Sequence, residues 1–137
     1  MAGTLVDSNV ILDVLTEDTR WYAWSSNALA QCADEGSLHI NPIIYAEVSI
    51  SVVTIEEMEE VLPAEAFPRL PIPLEAAFLA GKAFLRYRTR KGTKITPLPD
   101  FFIGAHAAVA ELRLLTRDSR RYRTYFPSIE IIAPVRK

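Results

Sequence analysis

Four acidic residues, Asp7, Glu47, Asp100 and Asp118, stand either at the end of a structural element or against apolar neighbours. Asp7 closes the run Thr4-Leu5-Val6, and Asp118 lies just past Leu114-Leu115-Thr116. Asp100 follows Pro97-Leu98-Pro99 at the mouth of an apolar stretch. Glu47 sits among Ile43, Ile44, Tyr45, Ala46, Val48 and Ile50. An ionised glutamate on the inward face of such a helix costs on the order of several kcal/mol unless something positive meets it. Carboxylates gathered within a few Å repel one another and raise one another's pKa, so a cluster stays charged only around a cation. An all-oxygen donor set suits Mg2+ or Mn2+, whereas zinc recruits His or Cys. The sole imidazoles, His39 and His106, lack H-E-x-x-H spacing and read as structural or surface groups, and the single Cys32 reads as a buried helix residue. Each acid also has a plainer reading: helix N-caps for Asp7 and Asp100, turn chemistry for Asp118, a solvent-facing position for Glu47.

Three further residues belong to the same pattern. Thr116 precedes Asp118 by two, so strand alternation directs its hydroxyl to the same polar end, where it can donate to a carboxylate or a bound water. Asn9 follows Asp7 by two and can orient that carboxylate; service to the strand-to-helix turn is its alternative. Gly104 lies one helical turn after Asp100 and is expected either to leave space beside the acid or to serve close helix packing.

These residues need a frame that brings them together. Thr4 to Asp7 reads as a strand, followed by a helical turn or two through Val10-Ile11-Leu12 and Val14-Leu15. Trp21 to Ala33 has helical spacing and is stopped by Gly36. Leu38 to Ile40 reads as a strand, and Asn41-Pro42 as N-cap and first-turn proline of a helix from Ile43 to Val53. Thr54 and Glu57 form a capping-box pattern for a short acidic helix through Val61. Pro63 to Pro73 is a loop. Leu74 to Arg90 is a helix with Ala76, Phe78, Leu79, Ala83, Phe84 and Tyr87 inward and Gly92 at its end. Lys94-Ile95-Thr96 is a weak strand or connector. Asp100 starts a helix facing the core through Phe101, Ala105, Ala108, Val109 and Leu112. Leu114 to Thr116 and Glu130 to Ile132 read as strands. Such alternation predicts an α/β fold with a parallel sheet covered by helices on both sides, and ligands there collect beyond the C-terminal ends of the strands.

At 137 residues and 50% hydrophobic, the chain has the length of one domain, taken as residues 1–137. The least charged stretch, Leu38 to Ile55, falls short of the roughly eighteen continuous apolar residues of a membrane span, and no leader is visible, so a cytoplasmic location is expected. The net charge of −2 argues against non-specific nucleic-acid binding. Its distribution is uneven: Lys82, Arg86, Arg88, Arg90, Lys91 and Lys94 run without an acid between them, and Arg117, Arg120, Arg121 and Arg123 surround Asp118. A local positive rim guides a polyanion where total charge does not, although a solvated surface accounts for the same runs.

The ordered set Val6-Asp7-Ser8-Asn9-Val10-Ile11-Leu12, Tyr45-Ala46-Glu47, Pro99-Asp100-Phe101-Phe102-Ile103-Gly104-Ala105-His106-Ala107 and Leu114-Leu115-Thr116-Arg117-Asp118-Ser119-Arg120-Arg121-Tyr122 resembles the PIN-domain nucleases. Within them it resembles the VapC-type ribonuclease toxins of toxin–antitoxin pairs. The resemblance implies a three-layer α/β/α sandwich with a central, mainly parallel sheet. It makes Asp7, Glu47, Asp100 and Asp118 an acidic, metal-binding quartet and Asn9 and Thr116 its polar helpers. It further implies an endoribonuclease that uses Mg2+, with Mn2+ as a substitute, to hydrolyse RNA and leave a 5′-phosphate and a 3′-hydroxyl. A homodimer and a small cognate antitoxin whose C-terminal segment enters the acidic groove are implied as partners.

Other classes remain to be separated. An aspartyl-nucleophile phosphatase of the haloacid-dehalogenase type also ends its first strand in Asp, but wants an acid two residues later, where Asn9 stands. A non-catalytic binding domain would tolerate Asp7→Asn. An RNA-processing nuclease without an antitoxin would share the chemistry and differ in its gene neighbourhood.

Overall fold

The computed structural model describes residues 3–90 and 98–135. Its sheet has four strands in the order β2-β1-β3-β4, where β1 is Thr4–Val6, β2 Leu38–His39, β3 Arg113–Leu115 and β4 Ile131–Ile132. All three pairings are parallel, with Leu5 opposite His39 on one side and Leu114 on the other. The central position of β1 explains why all its residues are buried and why its sequence does not alternate. Helices flank the sheet, as the interleaved pattern predicts. Because β1 and β3 are neighbours running the same way, the residues after them, Asp7 and Thr116, emerge at one edge.

The first helix, α1 (Ser8–Leu15), is capped by Asp7, whose carboxylate accepts from Ser8 N–H at 2.8 Å. The second, α2 (Tyr22–Glu35), buries Ser25, Ala28 and Cys32. Asn41 caps α3 (Pro42–Ser49) by accepting from Ile44 N–H, with Pro42 in the first turn. This helix stops four residues short of the expected Val53. Past Ser49 the bonds shorten to turns, and Ile50 and Val53 are 85% and 90% exposed, so no packing supports further turns. Thr54 caps α4 (Ile55–Val61) by accepting from Glu57 N–H, but the Glu57 carboxylate accepts in return from Val53 N–H, one residue before the cap.

The helix α5 (Leu74–Arg90) has the predicted limits but a different buried face: Ala76, Ala80, Ala83 and Tyr87 go inward, whereas Phe78 is 69% exposed. The four inward residues recur at steps of four, three and four, and Phe78, two positions from Ala76, falls on the opposite side. The expectations for Gly92 and for Lys94-Ile95-Thr96 lie outside the described residues. The helix α6 (Leu98–Ala110) begins two residues earlier than expected, so Asp100 is in its first turn and is not its N-cap. It buries Phe101, Ile103, Gly104, Ala105, His106 and Ala107, while Val109, expected inward, is 38% exposed, and Ala108 and Leu112 are half-buried. Its packing on α5 is led by Phe101, whose ring meets Phe84, Tyr87, Tyr125 and Phe126 with centroids 5.2–6.2 Å apart. A short helix not read from the sequence, α7 (Arg120–Tyr125), follows Asp118 and buries Tyr122 and Tyr125.

Helices α3 and α6 are joined by a buried polar pair. With its Oδ1 committed to Ile44 N–H, Asn41 presents Nδ2 to Nδ1 of His106 at 3.0 Å. His106 is therefore the acceptor there and carries its proton on Nε2, and burial holds its pKa below the usual value and keeps it neutral. Among the described residues no helix is long and apolar enough to cross a membrane.

Gly104 does not leave a vacant space beside Asp100. A Cβ there would lie 2.4 Å from the Phe126 ring and 3.1 Å from Tyr122, so close packing is the reason for the glycine. Both rings are buried. Gly104→Ala is therefore expected to lower stability by about 1–2 kcal/mol in urea denaturation, the overpacking outweighing the helix-propensity gain of roughly 1 kcal/mol. Unchanged stability would contradict the packing.

Candidate active site

The groups past the C-terminal ends of β1 and β3 converge on the carboxylate of Asp7, which is buried. Its Oδ1 accepts from Ser8 N–H. Its Oδ2 accepts from the hydroxyls of Thr116 at 2.8 Å and Tyr122 at 2.9 Å. The same Tyr122 hydroxyl lies 3.4 Å from Oδ1 of Asp100. Glu47 enters from α3 and accepts from the Ser8 hydroxyl at 2.7 Å, so the residue that caps Asp7 through its backbone holds Glu47 through its side chain. Strand, loop and three helices thus place Asp7, Glu47 and Asp100 around one point.

Asn9 and Thr116 are both in position. Asn9 donates through Nδ2 to Thr116 Oγ1 at 3.3 Å and accepts from Arg117 N–H at 3.1 Å, which ties the start of α1 to the turn after β3. Asp118 stands at the rim and is exposed. Its backbone N–H donates to Thr116 Oγ1 at 3.2 Å, and its charge adds to the repulsion felt by Asp100.

The electrostatics are those of crowded acids. Burial, with the charges of Asp100 and Glu47 behind it, pushes the Asp7 carboxyl up to about 7 despite the bonds from Thr116 and Tyr122. Burial also raises Glu47 and Asp100. Among the described residues one cation meets them: Arg121 from α7, 2.7 Å from Oδ2 of Asp100, with its guanidinium 5.8 Å from the centroid of the Tyr87 ring. Tyr122 is held well above the usual phenol value by burial and by Asp7 and Asp100, so it stays a proton donor.

Among the described residues, no three His, Cys, Asp or Glu side chains come together closely enough to hold a metal ion as they stand. Asp100 is engaged by Arg121, Glu47 by Ser8, and Asp118 faces solvent. The donor chemistry nevertheless suits a hard cation, since every acid offers oxygen and burial raises all three inner acids, Asp100 even with Arg121 beside it. Asp7 takes three hydrogen bonds of the roughly four a carboxylate can accept, so one position stays open.

Two residues that shape the site escape the sequence reading. Tyr122 is one, and the spacing of Tyr122, Tyr125 and Phe126 was the helical signal that would have placed it inward. The other is Asp13, buried in α1, which takes Nε and NH2 of Arg117 at 2.8 and 2.9 Å and the Ser25 hydroxyl at 2.7 Å. This pair fixes the turn that carries Asp118.

The arrangement of β1, β3, α1, α3 and α6 around these acids is the PIN architecture, and the PIN domain pattern matches residues 4–127. The chain belongs to the PIN-domain family. Solved structures with the same fold include VapBC2 from Rickettsia felis bound to a DNA fragment from its promoter, 18% identical, with 96% of this chain and 98% of that chain covered and a TM-score of 0.71. FitAcB from Neisseria gonorrhoeae is 21% identical over 94% and 96% of the two chains, with a TM-score of 0.65. VapBC-1 from nontypeable Haemophilus influenzae is 16% identical over 96% and 97%, with a TM-score of 0.70. No curated protein matches the chain in sequence.

The buried acid of this PIN domain has a thermodynamic signature. An Asp whose folded pKa is raised to about 7 from 3.8 binds a proton in the folded state that the unfolded chain has released between those values. Stability is therefore fully present below the unfolded value and is lost as pH rises toward 7. In chelator, wild-type protein is expected to lose roughly 2 kcal/mol more than Asp7→Asn between pH 5 and 7.5. The comparison cancels His39 and His106, whose lowered pKa values act in the opposite sense. Parallel pH profiles in urea denaturation would contradict the burial of a titrating Asp7.

Proposed function

We propose that this PIN domain is a divalent-metal-dependent endoribonuclease and the toxin of a toxin–antitoxin pair. The observation that carries the reading is the approach of the half-buried Glu47 and Asp100 to the buried Asp7 of a PIN fold, with Asp118 at the rim. Such a set is stable in its charged form only with a cation at its centre. The solved structures of similar fold support the biological setting, since they include a toxin–antitoxin complex from Klebsiella pneumoniae and a member of the VapBC family of toxin–antitoxin systems from Mycobacterium tuberculosis.

In this reading Asp7, Glu47, Asp100 and Asp118 hold Mg2+, or Mn2+ in its place. The ion supplies Lewis-acid polarisation of the phosphate and a water of lowered pKa. The protein's part is positioning. Thr116 and Tyr122 fix Oδ2 of Asp7, and Asn9 steadies Thr116. The Ser8 hydroxyl orients Glu47. With a cation on Asp100, Arg121 would no longer be needed as its partner, and its guanidinium would be available to the negative charge that builds on the phosphate. Hydrolysis leaves a 5′-phosphate and a 3′-hydroxyl. A homodimer and a small antitoxin complete the proposal, the antitoxin covering the acidic groove.

Protein freed of any partner is expected to cleave structured RNA in Mg2+ or Mn2+ and to lose this in chelator. Asp7→Asn and Asp100→Asn should each lower the rate by roughly a hundredfold or more while thermal melts show a folded chain. Cleavage that survives chelator, or both substitutions, would exclude the mechanism. Arg121→Ala has an opposite signature: calorimetric titration with Mn2+ should show tighter binding, because a competing cation is gone, while RNA turnover at saturating metal falls. Weaker Mn2+ binding in that variant would contradict the displacement of Arg121.

A further inference from the structure

Beside the acidic point, on the far side of Asp118, lies a cleft of about 440 Å³ lined by Arg20, Trp21, Arg117, Asp118, Ser119 and Pro134, among others. Its wall gathers planar groups around one indole. The guanidinium carbons of Arg20 and Arg117 lie 5.2 and 5.4 Å from the centroid of the Trp21 ring. The wall is built before any ligand arrives. Asp13 holds Arg117 through Nε and NH2, which leaves the NH1 edge of the guanidinium uncommitted among the described residues. The Asp18 carboxylate accepts from the backbone N–H groups of Arg20 and Trp21 at 2.9 and 2.8 Å, which sets the turn presenting both side chains. Trp24 braces the indole edge to face at 6.4 Å.

We propose that this cleft is a nucleobase subsite, which takes the base of a nucleotide flanking the scissile phosphate. The proposal rests on the nuclease reading above and adds to it the part of the substrate bound outside the acidic point. Aromatic and guanidinium planes stack on any base, and arginine adds edge donors to that stacking. A free phosphate fits less well. Asp118 lines the cleft, and Asp13 and Asp18 stand against the two arginines, so the local charge is close to balanced while the planar surface remains. The position also suits a flanking nucleotide, since Asp118 is shared between the cleft and the acidic rim. The stack is sequence-tolerant, whereas the NH1 edge of Arg117 can discriminate among bases by the acceptors they present.

The test is binding of a short fluorescein-labelled single-stranded RNA of mixed sequence, followed by anisotropy in chelator so that no cleavage intervenes. Trp21→Ala is expected to weaken binding about tenfold, Trp21→Phe to retain most of it, and the exposed Arg20→Ala to weaken it less than Trp21→Ala. Mn2+ affinity should be unchanged in all three. An abasic nucleotide is then walked along the RNA. At one position it should remove the difference between wild type and Trp21→Ala, a readout that needs no variant to be perfectly folded. Equal RNA affinity of wild type and Trp21→Ala, with cleavage by wild type intact, would overturn the subsite alone and leave the cleft to a protein contact. Failure of wild type to bind or cleave any RNA would overturn both the subsite and the nuclease reading.

Discussion

A carboxylate withdrawn from water at the end of the central strand is the constraint from which the rest of this molecule follows. Asp7 cannot be left bare there, because burial of an unpaired charge is among the most costly things a fold can do. The chain meets the need with three donors drawn from separate places: the first turn of α1, the residue after β3, and the middle of α7. Each bond satisfies the acid, and each also pins the element that provides it. The convergence of the site and the docking of α7 on the sheet are thus one and the same set of hydrogen bonds.

Two further buried polar pairs extend that logic outward. Asn41 and His106 hold α3 to α6, which sets Glu47 against Asp100. Asp13 and Arg117 hold α1 to the turn after β3, which sets Asp118 at the rim. In both cases one residue makes two ties at once: the Asn41 side chain caps α3 while it reaches α6, and Arg117 donates its backbone N–H to Asn9 while its guanidinium meets Asp13. Each pair satisfies a buried polar group, Asn41 and His106 in one case and Asp13 in the other, so these pairs register elements more than they add net stability.

Most of this frame was legible because hydrophobic period and cap chemistry are local. The limits of α5, the caps of α3 and α4, and the parallel sheet follow from spacing and from a few Asn, Thr and Pro residues. What failed was decided by contacts between distant residues. Phe78 looks inward only until the small residues Ala76, Ala80 and Ala83 are seen to make the closer face. Gly104 reads equally as space beside an acid or as close packing until Phe126, twenty-two positions later, decides for packing. Asp13 illustrates a different lapse: an acid among Val10, Ile11, Leu12, Val14 and Leu15 carries the same cost that singled out Glu47, and it called for the same search for a cation.

Tyr122 and Arg121 show how adjacent residues can act on one acidic pair in contrary ways. A phenol hydroxyl directs a carboxylate without neutralising it, and its bond to Oδ2 of Asp7 leaves an acceptor position open for a ligand. A guanidinium on Oδ2 of Asp100 supplies charge, and so occupies the role a metal ion would take. The first arrangement is compatible with a cation and the second competes with it. That difference accounts for a site in which the acids are gathered while, among the described residues, no three of them are close enough to chelate. Burial supplies the drive to acquire positive charge, the tyrosine keeps Asp7 aimed, and the arginine, half-exposed and resting on Tyr87, is the component with somewhere to go.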